Sequence, residues 1–427
     1  MLLEEDGKNK VDFSMKDKIL HGTIYLLIAQ AVFVASGYAI HIGLGRLLGP
    51  SNYGIYAVVI SLMTMVNLIL ATGIPQALSK YVAHGDISVK AVRDISLKIQ
   101  LVFSLGIFLI YYIIAGKIAL LLNDEGLTPL IRLSSFIVPS YALYSISTGY
   151  LNGLQEYKKQ AITAISYSFF KAIFILVMVL IGYALRGAIF GFVLAPMAAL
   201  LIGIYCTKQR KFVEKNSQEI NKEISVRQVL DFAIPIIFFS VITNLISNID
   251  LFFVKAYLTD YDAGIYSASS TISKVPFYLT TGLYGALFPL ISKNAASNNI
   301  KKNRKYAVKS FKYLFIAMAP TVFVIYMLSE ELLTLLYSIE YIGGAQVLSI
   351  LIIGIGFFSL FSLLTTILNG IGMPRISVAI SILLLFINIL LNITLIPKYH
   401  IIGAAIATST TSLIGLILSS LCVYRYL

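Results

Sequence analysis

GGAQVLSILIIGIGFFSLFSLLTTILNG, residues 343–370, runs without one charged side chain. A helix rising 1.5 Å per residue needs about 20 predominantly apolar residues to cross the roughly 30 Å hydrocarbon core of a bilayer. This stretch is long enough, and residues 376–397 and 401–424 repeat the pattern on either side of a short break at Lys398. Toward the N-terminus, further apolar runs bounded by polar residues fall near 308–337, 263–293 and 228–257. A polar stretch precedes them, and beyond it lie runs near 187–207, 157–185, 128–153, 96–122, 53–83 and 20–45. The pattern predicts an all-α integral membrane protein with about twelve transmembrane helices. The first run is too long and too polar at its start for a cleaved signal peptide, and a second follows at once.

Composition leads to the same class. Of 427 residues, 58% are apolar and 12% charged, against about 45–50% and 25% in soluble domains. Mean hydropathy is +0.86. Too little polar surface remains to coat a soluble particle, which excludes a cytosolic enzyme and, despite the net charge of +13, a nucleic-acid-binding protein. Two cysteines exclude a disulfide framework. Cys206 and Cys422 read as reduced packing residues.

Basic residues orient the chain. With the N-terminus in the cytoplasm, the inner segments hold Lys8, Lys10, Lys16 and Lys18, then Lys90, Arg93 and Lys98, and later Lys301, Lys302, Arg304, Lys305, Lys309 and Lys312. The outer set is only Arg46, Lys117, Arg132, Arg186, Lys255 and Lys398. Both termini are therefore expected inside. The basic run at 301–305 reads first as a topology signal, with acidic lipid headgroups as the alternative partner.

The two halves echo one another. LLGPSNYGIY at 47–56 pairs with LTDYDAGIY at 258–266, Leu151-Asn152-Gly153 with Leu368-Asn369-Gly370, and Gly187-Ala188 with Gly403-Ala404. Pro75 with Ser79-Lys80 resembles Pro289 with Ser292-Lys293, and Cys206 falls in register with Cys422. All share an offset near half the chain. That offset spans six helices, an even number, so the halves enter the membrane in the same sense, as in parallel-repeat transporters. The expected domains are an N-terminal six-helix lobe (1–207), a cytoplasmic linker (208–227) and a C-terminal six-helix lobe (228–427), with a cleft between the lobes suited to alternating access.

Ionisable groups at membrane depth cost about 2.5–3.5 kcal/mol each on insertion scales and default to functional candidates. Lys171, in FFKAIF, lies twelve residues past Lys159 and fifteen before Arg186, or about 18 and 22 Å from the two ends. Lys274, in TISKVP, is similarly deep, and Asp250, in SNIDLF, sits in the outer third of its run. His41 lies at comparable depth, and Arg132 one turn inside the outer end of the fourth run. Polar residues recur at helical spacing around them: Gln160, Thr163, Tyr167 and Lys171; Ser240, Thr243, Ser247 and Asp250; Ser267, Thr271, Lys274 and Tyr278. Such stripes line a polar groove or join helices through hydrogen bonds. Asp250 and Lys274 could also pair structurally, His41 could be a hydrogen-bonded packing residue, and Arg46 could anchor at the outer headgroups. The set is cationic overall, and a low-dielectric cleft lined with one sign concentrates the other. The expected cargo is an anion, with a lipid-borne phosphate as the natural partner of Lys and Arg.

No GxxxxGK[ST] phosphate loop, HExxH, Cys/His cluster or GxSxG occurs, so neither an enzyme nor a bound cofactor is expected. At RLLGPSNYGIY (46–56), GIPQALSKYVA (73–83) and DFAIPIIFFSVITNLISNIDLFFV (231–254), and at both LNG triplets, the chain resembles the polysaccharide-transporter flippases. These form the lipid-linked oligosaccharide branch of the superfamily that also holds multidrug and toxic-compound extruders. The resemblance covers most of the chain. It implies twelve helices in two lobes, export of undecaprenyl- or dolichyl-linked saccharide across the cytoplasmic membrane, and a cationic cavity that maps onto Lys171 and Lys274. Membrane lipid and glycan-assembly glycosyltransferases or a polymerase are the partners it suggests. The competing expectation is an H⁺- or Na⁺-coupled antiporter of drugs or small metabolites, working through Asp250.

Overall fold

A computed structural model of the protein describes residues 2–84, 87–208, 224–296 and 300–427. Residues 209–223 of the expected linker lie outside the described residues. The described residues contain helix and turn and no β-strand, as a bilayer demands of a chain that is not a closed barrel. Two compact units are formed. One comprises Met1–Ile40, Val66–Ile114 and Leu130–Phe238, and the other His41–Met65, Ala115–Pro129 and Phe239–Leu427.

In chain order the first helices are α1 (Leu2–Ala71), α2 (Ile74–His84), α3 (Val89–Leu121), α4 (Leu127–Ser135), α5 (Ile137–Gly153), α6 (Tyr157–Met178) and α7 (Ala184–Lys208). There follow α8 (Val226–Tyr257), α9 (Asp260–Ser273), α10 (Val275–Ala296), α11 (Ile300–Met327), α12 (Ser329–Leu336), α13 (Ala345–Gly370) and α14 (Pro374–Tyr426). Among the described residues, seven helical stretches are long and apolar enough to cross a membrane, three of them His21–His84, Tyr157–Thr207 and Pro374–Tyr426. These three exceed one crossing. At 1.5 Å per residue, the 53 residues of α14 would extend about 80 Å as one rod.

Each of the three is interrupted by backbone outside the helical region. The break falls at Gly49 (φ 71°, ψ 169°) before Pro50, at Gly182 (φ 102°, ψ 4°) with Ala184 (φ 43°, ψ −129°), and at His400 (φ 51°, ψ −137°). Two of these breaks are reversals. On α7, Gly191 lies against Phe174 and Ile175 of α6, while Gly203 lies against Thr163. Residue numbers thus rise on one arm as they fall on the other, which is an antiparallel hairpin. Within α14, Gly403 lies against Leu395 and Gly415 against Leu384, so this helix also folds back on itself at His400.

Proline explains two further interruptions. Pro276 has no N–H to donate to Ile272, and the run expected to be continuous over 263–293 divides at Lys274 into α9 and α10. Pro139 follows the α4–α5 break in the same way. At Gly73 (φ 64°) the passage from α1 to α2 frees the Leu70 carbonyl. That carbonyl accepts from Gln100 Nε2 at 3.0 Å and Ser145 Oγ at 2.9 Å, so the broken backbone stays satisfied inside protein.

The cores are helix on helix. In the first unit α2 buries Ile74, Ala77, Leu78 and Val82 against Ile146 and Tyr150 of α5. In the second, Leu287 and Ile291 of α10, Leu314 and Met318 of α11, and Leu363, Ile367 and Leu368 of α13 share one cluster.

A Cβ on Gly191 would come within 2.6 Å of the Phe174 and Ile175 backbone, whereas one on Gly37 meets nothing within 4 Å. Gly191→Ala should therefore force the α6–α7 hairpin apart and cost about 1–3 kcal/mol. The expected readout is a lowered thermal midpoint by circular dichroism in detergent, with no loss for Gly37→Ala.

Candidate functional site

Lys171 stands on the buried face of α6 with Thr163 and Tyr167. It is 5% exposed, and no ion pair or hydrogen bond holds its ammonium among the described residues. Three rings surround it instead: Nζ lies 4.6 Å from the Phe33 centroid and 5.7 Å from those of Tyr167 and Phe192. Tyr167 in turn packs on Tyr144 and Tyr141 of α5, at ring-centroid distances of 5.0 and 5.8 Å. The Thr163 hydroxyl donates to the Lys159 carbonyl within its own helix. Cation–π contacts compensate a desolvated ammonium by about 2 kcal/mol but leave its N–H donors without an oxygen acceptor. Arg132, at the end of α4, is exposed and stacks 5.3 Å from the Tyr112 centroid. It shares none of the Lys171 contacts.

In the second unit Asp250 of α8 is 5% exposed. Its Oδ1 accepts from Asn392 Nδ2 at 2.9 Å, and its Oδ2 accepts from Tyr266 OH at 3.3 Å and from the Thr408 hydroxyl. Asn392 Nδ2 also donates to Asn388 Oδ1 at 2.9 Å. Thr408 Oγ1 also lies 3.1 Å from the Ala404 carbonyl, while Asn392 Oδ1 has no partner among the described residues. Carboxylate, amide, hydroxyl and carbonyl oxygens thus converge with no ammonium or guanidinium at ion-pair distance among the described residues. Such a cage can hold a proton on the carboxylate or a monovalent cation among the oxygens.

Lys274 does not close an ion pair with Asp250. It is half-buried, and its Nζ reaches the Ser247 carbonyl at 3.5 Å. The polar stripes beside these two residues are largely internally bonded. Thr243 donates to Phe239 and Ser240 carbonyls, Ser247 to Thr243, and Thr271 to Ser267. Tyr278 is 39% exposed.

His41 and Arg46 belong to a different cluster of the second unit. His41 Nδ1 lies 2.9 Å from Tyr53 OH and edge-on to Tyr53 and Tyr56. Arg46 Nε donates to the Leu336 carbonyl at 2.9 Å and its other arm to Leu335, so a cation caps the C-terminus of α12, where the helix dipole favours it. Tyr341 OH donates to the Gly45 carbonyl at 2.9 Å.

Sequence reasoning passed over Asn388, Asn392 and Thr408. The signal was present, because Asn388 and Asn392 stand four apart in an otherwise uncharged run and so share one helix face. It also counted Lys255 as a loop charge. Lys255 is 5% exposed, bonded to Asp124 at 2.7 Å and to Asp260.

The helical breaks, apolar spans and buried ionisable groups describe a multi-pass membrane transport protein. The family described as polysaccharide biosynthesis protein matches residues 19–295, and the MatE family matches residues 235–394. The chain belongs to the polysaccharide biosynthesis protein family. An uncharacterized membrane protein of Methanocaldococcus jannaschii is 26% identical over 409 residues, covering 92% of this chain and 94% of the relative. The lipid II flippase MurJ of Bacillus subtilis is 22% identical over 460 residues, covering 96% and 84%. The fold is shared with the inward-facing form of a multidrug resistance MATE family transporter (TM-score 0.79, 14% identity, 95% of this chain and 97% of that one). It is also shared with an inward closed structure of a lipid II flippase MurJ (TM-score 0.76, 16% identity, 95% and 87%).

Removing the Lys255 ammonium strands two carboxylates that are 23% and 32% exposed. Lys255→Met should cost about 2 kcal/mol, less than a fully buried pair because water screens both acids. Thermal melts in detergent should show the loss, and Lys255→Met combined with Asp124→Asn should recover part of it.

Proposed function

We propose that the chain is a flippase that moves an anionic, lipid-linked saccharide from the inner to the outer leaflet of the cytoplasmic membrane by alternating access. The observation that carries this reading is Lys171, a buried ammonium with aromatic neighbours and no carboxylate partner among the described residues. Insertion of such a charge costs about 2.5–3.5 kcal/mol, and an anionic cargo is the group that would use it. The diphosphate of a lipid carrier has the right charge and acceptor oxygens. Lys274, half-buried beside a backbone carbonyl, is the second cation proposed to meet it, with Arg132 nearer the membrane surface. Family membership and the likeness to lipid II flippases support a lipid-borne saccharide over a drug.

Twelve crossings in two six-helix lobes are part of the proposal. The breaks at Gly49, Gly182 and His400 support it, since they divide stretches too long for one crossing. Ala184 and His400 adopt nearly the same rare dihedrals at equivalent places in the two halves, which supports an internal duplication. In this reading both termini are cytoplasmic, and glycan-assembly enzymes would supply or consume the cargo.

The Asp250 cage favours a second element, coupling to H⁺ or Na⁺. An inside-negative potential would also drive an anion outward, by about 2.3 kcal/mol per charge per 100 mV.

Proteoliposomes loaded with a labelled prenyl-diphosphate oligosaccharide in one leaflet test both elements. Lys171→Ala should slow transfer at least about tenfold, as expected for a lost charge-assisted contact to a phosphate, and Lys171→Arg should retain part of it. Asp250→Asn should leave cargo binding intact while removing dependence on an imposed Na⁺ or proton gradient. Transfer at the original rate by Lys171→Ala would overturn the anion-binding role.

A further inference from the structure

On the second unit, α11 and α13 border an open cavity of about 310 Å³, which Met318 of the core cluster also lines. Phe315, Met318, Val322 and Phe323 contribute from α11, and Gly356 and Phe357 from α13. Gly356 of α13 carries no side chain there, so that an added Cβ would touch only Val322 at 3.7 Å. The depression is open, and Phe315 and Phe323 are 56% and 62% exposed.

The same helix carries its own counterpart. Lys301, Lys305 and Lys312 are exposed and form no ion pair among the described residues. They stand 18, 14 and 7 residues before Ala319, nearly whole numbers of turns, so they share a face with Ala319, Phe323 and Tyr326. An unpaired cationic stripe therefore leads directly into an apolar groove. From Phe315 to Tyr326 the groove runs about 16 Å, close to the depth of one leaflet, about half of the 30 Å core.

We propose that this groove binds one anionic phospholipid, with an acyl chain against Phe315, Phe323 and Gly356 and its phosphate at Lys312 and Lys305. Charge complementarity selects the anion, and the one-leaflet depth selects a membrane phospholipid over a longer prenyl carrier.

The chain contains no tryptophan, so Phe315→Trp installs a single reporter. The full chain with this change is reconstituted in phosphatidylcholine vesicles, and its fluorescence is titrated with brominated-chain phosphatidylglycerol or brominated-chain phosphatidylcholine. Phosphatidylglycerol should quench with an apparent preference of about fivefold for each facing lysine. Lys305→Gln with Lys312→Gln should abolish the preference, and Gly356→Leu should weaken quenching by both lipids by filling the groove. A reporter at Phe386→Trp, on the exposed face of α14 (71% exposed), should show no preference. Equal quenching by both headgroups, a preference that survives loss of both lysines, or the same preference at Phe386→Trp would each overturn the proposal. Displacement by a few mole per cent of unbrominated prenyl phosphate would overturn it in favour of a carrier lipid.

Discussion

Every N–H and C=O at membrane depth must find its partner inside the protein, and this fold follows from that requirement. Helix satisfies it automatically, which is why the described residues hold no strand. The requirement becomes visible where helix stops. At Gly73 the stranded Leu70 carbonyl is met by Gln100 and Ser145 from two other helices. At the end of α12, Arg46 reaches across to two carbonyls. Residues that look like scattered polar substitutions in an apolar sequence are thus the complement of particular breaks.

Charge is the second quantity the interior must balance, and the protein balances it in three ways. Lys255 is neutralised by two carboxylates, a compensated arrangement that explains its burial. Asp250 is held by neutral donors, with no cation at ion-pair distance among the described residues. Lys171 is surrounded by rings, which soften the desolvation and supply no acceptor. Structural groups tend toward the first solution because breaking a buried pair is so costly. The other two have no opposite charge at ion-pair distance among the described residues, and this separates Lys171 and Asp250 from Lys255 more sharply than position in the sequence does.

Much of this was legible from residue order alone. Apolar runs and glycine-proline punctuation locate the helices, because bilayer thickness and backbone satisfaction act on local sequence. That Lys171 and Asp250 fall inside long apolar helices follows from counting along the sequence. Partners do not follow, since they come from residues far apart in the chain. Asp250 and Lys274 stand 24 residues apart and could pair on sequence grounds. Yet Asp250 is claimed by Asn392 and Thr408, which stand 142 and 158 residues away. The helix expected to run unbroken over 263–293 divides at Lys274 for a local reason, Pro276. Arg46 shows the same limit, since its carbonyl partners lie 289 and 290 residues away.

The reversals carry the argument one step further. Left-handed backbone at a non-glycine residue is costly, and Ala184 and His400 both adopt it although their side chains have nothing in common. Chemistry at the side chain therefore cannot be the cause. Each residue is followed three positions later by a glycine, Gly187 or Gly403, pressed against the backbone of the preceding arm. A hairpin that tight fixes the path of the chain, and the path dictates the dihedrals whatever residue stands at the turn. Shared backbone strain with unshared side chains is what an old duplication would leave behind, because packing geometry is preserved after residue identity has drifted. The strain thus adds to the support for the proposed pairing of the two halves, beside the match of Gly187-Ala188 with Gly403-Ala404 in sequence.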